Sequence, residues 1–211
     1  MRIPRRKVSA PYTDLVSEID RLLRLDEANQ VAFSGTRGPR ITRHQLHLMT
    51  ESIFVAAFRM YEGFISDVFL LYCLEKRPRS GRRVKSFLQP KDFFHAGSLI
   101  QSSMPFLDWT SPATVIKRAE TYLSSGFPIK LPYTSHKEIL EDLKRLRNHI
   151  AHDSWESLNG YKIVLKRHYL TIPLILPAPG EFLLLPNRTD AARYNLQFYL
   201  DTMKDIGGQI T

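Results

Sequence analysis

Between Ile53 and Leu74 the chain is apolar on nearly every helical face, and that one stretch constrains the fold more than any other feature. A helix apolar all round must be buried on several sides, so it needs partners around it and belongs at the centre of a helical bundle. It carries Arg59, Glu62 and Asp67, which argues against a membrane span. Thr42 opens the pattern, which runs to about Lys76. A lone carboxylate such as Glu62 is costly in so apolar a setting unless it is paired, with Arg59 one turn earlier or with Arg147 further along the chain, so it is kept as a supporting candidate.

Other elements can be read around this centre. Leu15, Val16, Ile19, Leu22, Leu23 and Leu25 recur at helical spacing and predict a first helix from Thr13 to about Ala28, capped by Thr13 or Asp14. Residues 31–40 are loop-like. Residues 86–103 predict one or two short helices, and Ser111-Pro112 is a helix start with a capping serine and proline at the first helical position. Ser135-His-Lys-Glu138 fits a capping box ahead of Ile139, Leu140, Leu143, Leu146 and Ile150 on one stripe. Tyr161 to Leu185 holds strand-like clusters around a Pro177-Ala-Pro-Gly180 turn, and predicts a small β-hairpin over 161–185. A final helix is expected from Thr189 or Asp190 to Ile206, stopped by Gly207-Gly208. The expected fold class is therefore mainly α: a helical bundle with one small β-hairpin, a single domain over 1–211 with an inserted segment at about 77–130.

The chemistry concentrates in Lys144-Arg-Leu-Arg147-Asn148-His149-Ile-Ala-His152-Asp153, on the last turns of the helix that follows Ser135. A guanidinium holds phosphate by two hydrogen bonds at any physiological pH, and an imidazole exchanges a proton near neutrality. Five residues turn an ideal helix by about 140°, so Arg147 and His152 do not share a face on a regular one. For both to serve one centre, the helix must end or distort near Ala151, the arginine must reach round, or two copies must meet at a dimer axis. A helix-end Arg or His also serves as a plain dipole-compensating cation.

A net charge of +9 and a pI near 9.7 favour a polyanionic partner. Lys76 to Lys85 packs six cations into ten residues, so Arg82 and Arg83, with Lys144 and Arg145, are candidate phosphate-backbone contacts. Cys73 is the only cysteine, which excludes an intrachain disulfide and points to the cytoplasm. The basic N-terminus lacks the apolar core of a secretory signal. A metal site built from His149, His152, Asp153 and Glu62 lacks the His-Glu-x-x-His pattern, and Ser34-Gly35-Thr36-Arg37-Gly38 lacks the spacing of a phosphate-binding P-loop. No metal and no cofactor are expected.

Arg147-Asn-His-Ile-Ala-His152, after a long apolar helix containing Tyr61-Glu62-Gly63-Phe64, resembles the motif of HEPN domains (higher eukaryotes and prokaryotes nucleotide-binding), in which an Arg is followed by a polar residue and, four to six residues on, a His. The order of elements is similar to the RiboL-PSP type. The resemblance implies a HEPN-like bundle with metal-independent endoribonuclease activity of toxin or anti-phage defence type, giving 2′,3′-cyclic phosphate and 5′-hydroxyl ends. In it His152 is the acid/base group, Arg147 stabilises phosphoryl charge, and Asn148 orients either, while His149 and Asp153 are supporting cleft residues. It further implies RNA as substrate, a homodimer through the motif helix and an antitoxin partner such as a minimal nucleotidyltransferase. The alternative is a non-catalytic HEPN-like module that binds RNA, a nucleotide or a protein.

Overall fold

The computed structural model describes residues 7–35, 38, 40–102, 107–152 and 154–211. The chain is mainly helical. In order come α1 (Ser9–Ser34), α2 (Arg43–Cys73), α3 (Phe93–Gln101), α4 (Pro112–Tyr122), a 3-10 turn (Ser124–Gly126), α5 (Lys130–Ser135), α6 (Lys137–Ala151), α7 (Trp155–Tyr169), α8 (Pro179–Leu183) and α9 (Asn195–Ile210). Among the described residues no helix is long and apolar enough to cross a membrane. The residues divide into two compact units, one of Met1–Val16, Met60–Glu141 and Lys204–Thr211, the other of Ser17–Arg59 and Asp142–Met203.

The first unit is organised by the C-terminal half of α2. Phe64, Ile65, Val68, Phe69, Leu71 and Tyr72 are all essentially inaccessible, as expected for a stretch with no polar face. Phe69 packs on Trp109 with ring centres 5.1 Å apart, and Tyr12 lies 6.2 Å from Phe64. The Tyr72 hydroxyl donates to the Ile210 carbonyl at 2.5 Å. Burial pushes the Cys73 thiol up to about 12, so it behaves as a small apolar side chain. Ser111 caps α4 by accepting from the Thr114 N–H, with Pro112 at the first position, as the sequence predicts. Among the described residues of 86–103 there is one short helix, α3, capped by Asp92. Gly207 and Gly208 do not stop the last helix, which runs on to Ile210. A Cβ on Gly207 would stand 3.2 Å from the Tyr12 ring, so this glycine makes room for an aromatic side chain inside the helix.

In the second unit Phe54, Ala57, Leu143, Leu146, Tyr161, Val164, Leu165, Phe182, Leu196 and Leu200 form the core. Thr42 caps α2: its hydroxyl accepts from the Gln45 N–H at 3.2 Å while Gln45 Oε1 accepts from the Thr42 N–H at 2.8 Å. Gly180 is the second residue of α8, and its N–H donates to Glu51 Oε1 at 2.8 Å.

The β-hairpin expected over 161–185 is not formed, and among the described residues there is no sheet, only the isolated bridges Ser86 with Leu123 and Pro186 with Tyr194. Residues Tyr161 to Tyr169 belong to α7. Ser157, Tyr161, Val164, Leu165 and His168 fall on one face at helical spacing, and burying that face outweighs the β-propensity of Ile163 and Val164. A reciprocal cap fixes the start of α7, where Ser154 accepts from the Ser157 N–H and Ser157 from the Ser154 N–H, each at 3.2 Å. Leu170, at φ 68°, ends the helix. The expected capping box at Ser135 is likewise replaced: Ser135 closes α5, and α6 opens when the His136 carbonyl accepts from the Leu140 N–H. Thr13 and Asp14 lie inside α1, whose first residue is Ser9, and Thr13 bonds back to the Ser9 carbonyl.

Candidate functional site

Helix α6 ends at Ala151, one residue before His152. His152 keeps the helical bond, its N–H donating to the Asn148 carbonyl at 2.9 Å, and its own carbonyl accepts from the Ser154 N–H at 3.0 Å. The buried Ser157 hydroxyl donates to the same His152 carbonyl. His152 is therefore held by its backbone at the junction of two helices, while its ring is exposed to solvent.

An open groove of about 530 Å³ lies at this junction, lined by Arg145, Asn148, His152, Ser154, Glu156, Ser157 and Gly160. It is the polar counterpart of the α6 core stripe, since Leu143 and Leu146 face inward and leave Arg145 and Asn148 on the other side. Gly160 brings α7 close to the arginine: a Cβ there would lie 3.5 Å from Arg145 Cγ. No family model, curated protein or solved structure matches this chain. The arrangement has to be argued from its own groups.

Arg147, half-buried, is not among the residues that line the groove. Its guanidinium donates to Asn148 Oδ1 at 3.1 Å, so Asn148 links the arginine to the groove that His152 occupies. The cation in the groove itself is Arg145, which the sequence singled out only as a backbone contact. Arg145 and Arg167 both reach Asp142, at 3.1 and 2.8 Å. Asp142 is buried, and that burial holds its carboxyl above the usual carboxylate range despite the opposing pull of Arg167 and Arg145. The carboxylate thus positions Arg145 from below.

His149 is turned inward. Its ring stacks on Tyr161 with centres 4.7 Å apart and planes 21° from parallel, and its Nδ1 is 3.4 Å from Ser157 Oγ. It supports the junction and does not line the groove. Asp153 lies outside the described residues. Glu62 is half-buried in the first unit, where its charge helps to raise the phenol of buried Tyr133. Arg82 and Arg83 also belong to the first unit: Arg82 lies 4.4 Å from the centre of the Phe127 ring, and Arg83 pairs with Glu75 at 3.2 Å. Lys144 is half-buried on α6. Among the described residues no three His, Cys, Asp or Glu side chains stand together as a metal site.

Ser154, Glu156, Ser157 and Gly160 are groove residues that sequence reasoning missed. The signal was present in the Ser154-x-x-Ser157 cap followed by Tyr161, Val164, Leu165 and His168 at helical spacing. Strand-like composition at Ile163 to Leu165 masked it.

Proposed function

We propose that the chain is a metal-independent endoribonuclease of HEPN-like type, acting at the end of α6. One observation carries this: Asn148 and His152, one helical turn apart, line a single groove with Arg145, while Asn148 is bonded to Arg147. His152 takes the proton of a ribose 2′-hydroxyl, the 2′-oxygen attacks the adjacent phosphorus, and the phosphorus to 5′-oxygen bond breaks. The leaving 5′-oxygen takes up a proton, leaving a 2′,3′-cyclic phosphate and a 5′-hydroxyl. Arg145 and the Arg147–Asn148 pair offset the charge that builds on the phosphoryl oxygens. The Glu156 carboxylate disfavours an anion at its edge of the groove, which leaves the side formed by Arg145 and Asn148 for phosphate.

A second copy of the chain, joined through the motif helix, would double the cations available to one phosphodiester. A toxin or defence role, with an antitoxin such as a minimal nucleotidyltransferase, is consistent with a basic RNA-cutting protein that must be held in check.

The test is to incubate single-stranded RNA with wild type and with His152→Ala in EDTA and to analyse the product ends. Cyclic-phosphate ends from wild type, reduced about 100-fold or more in the variant, are expected. Binding without cleavage by either protein would leave the RNA-binding module as the function.

A further inference from the structure

Helix α7 buries Tyr161, Val164 and Leu165 on one side, with His168 half-buried beside them, and its opposite side carries an unusual run of residues. At 100° per residue, Trp155, Asn159, Lys162, Ile163, Lys166 and Tyr169 fall on one outward stripe. Trp155 is 71% exposed, Ile163 44% and Tyr169 39%. An exposed tryptophan on a solvated helix costs free energy, and its indole can be re-covered only by something flat or apolar. Lys162 Nζ lies 5.1 Å from the centre of the Trp155 ring. The ammonium covers one face and leaves the other to solvent.

We propose that this outer stripe of α7 is a single-stranded RNA track, with Trp155 stacking a base next to the scissile phosphate. Alternation of aromatic platforms with lysines is the chemistry that holds unpaired nucleic acid: bases stack on the rings and phosphates meet the cations. The stripe runs about 21 Å along α7, from Trp155 to Tyr169. It is continuous with the groove, because Glu156 and Gly160, which line the groove, lie on the flank of the same helix. A net charge of +9 supplies long-range attraction to a polyanion. A duplex hides its base faces in the stack, so this track selects single strands.

The proposal deepens the ribonuclease reading, on which its place beside a scissile phosphate rests, but binding can be measured without cleavage. A His152→Ala protein, unable to cut, is titrated with a short oligouridylate while indole fluorescence is followed. The chain has two tryptophans, and Trp109 is buried in the first unit, so the signal that responds to a surface ligand is that of Trp155. Quenching is expected with the single strand and absent with a duplex of equal length. Trp155→Ala should remove the quench and weaken binding roughly five- to hundredfold. Lys162→Ala with Lys166→Ala should weaken it and flatten its salt dependence. A duplex that quenches as well as the single strand, or Trp155→Ala binding RNA as wild type does, overturns the track. So does quenching that depends on protein concentration without RNA, which would mark the stripe as a contact between two copies. If wild type fails to cleave but the titration succeeds, the track stands and the enzymatic reading falls.

Discussion

Beneath α7 the second unit leaves no spare volume: a Cβ on Gly180 would stand 2.4 Å from the His47 carbonyl oxygen, and the Tyr161 ring is wedged between His149 and Phe182 with centres 4.7 and 6.0 Å away. Beside the same helix, the groove of about 530 Å³ is polar and open, and His152 and Ser154 project there into solvent. One helix therefore serves two purposes. The packed side fixes where α7 begins and how α6 ends, and the open side holds the polar groups on which the proposed activity rests, whose own removal should cost little stability. Substitutions beneath α7 should act on folding, and substitutions beside it on RNA.

Gly180→Ala tests that division most severely. The added methyl must displace backbone, since the nearest atoms are the carbonyl oxygen, carbonyl carbon and Cα of His47. It also endangers the bond from Gly180 N–H to Glu51. A loss of about 3 kcal/mol is expected, read as a shift of the urea midpoint at constant slope. Below the unfolding transition, RNA turnover per folded molecule should be unchanged. Lost turnover in fully folded protein would show that the seam and the groove are one functional unit.

The same contrast decides what was legible in the sequence. The centre of the bundle was, because apolar residues on every face of Ile53 to Leu74 leave burial as the only solution. The start of α4 was too, since Ser111 and Pro112 act through local backbone geometry. The placement of Arg147 to His152 on the last turns of the helix after Ser135 was readable as well, from the stripe of Ile139, Leu140, Leu143, Leu146 and Ile150. What could not be read rests on contacts between distant residues. Gly207 reads as a helix stop until Tyr12 is seen packed against it, and Gly180 reads as a turn glycine until His47 fills the space of its side chain. The second half of α7 is hidden in the sequence because the strand propensity of Ile163 and Val164 competes with the helical spacing of Tyr161, Val164, Leu165 and His168. With Tyr161 to Tyr169 read as part of a hairpin, no helix starts at Trp155, so the sequence does not place Ser154, Ser157 and Gly160 beside His152, nor Arg145 in a groove with it.

Asp142 sits where packed seam and open groove meet, so it should respond in both measurements. Asp142→Ala takes the buried carboxylate away from Arg145 and Arg167. A cost of about 2 kcal/mol is expected, moderated because both guanidiniums retain access to water. Arg145 then loses the contact that positions it, and turnover should fall more than RNA affinity does. Asp142→Asn, which keeps the shape and a hydrogen-bond acceptor, should restore most of the stability. A variant that loses stability with turnover intact would confine Asp142 to the seam and remove Arg145 from the chemistry.

The smallest effect concerns His168, the one imidazole on the packed face of α7. Its ring meets Phe182 edge-on with centres 5.2 Å apart. Burial, with a lesser push from the Arg188 charge, holds its pKa below the ordinary value of 6.5. The sign follows from linkage. The unfolded chain takes up the proton first as pH falls, so stability present above about pH 6.5 is lost as pH drops through the lowered folded value. His168→Phe keeps an aromatic ring against Phe182 and removes the titration, so the urea midpoint of the variant should fall less between neutral and mildly acid solution. If the acid-side loss is as steep in His168→Phe as in wild type, the proton that unsettles the protein is taken up elsewhere than on the packed face of α7, and the separation between packed and open sides of that helix fails at its most sensitive point.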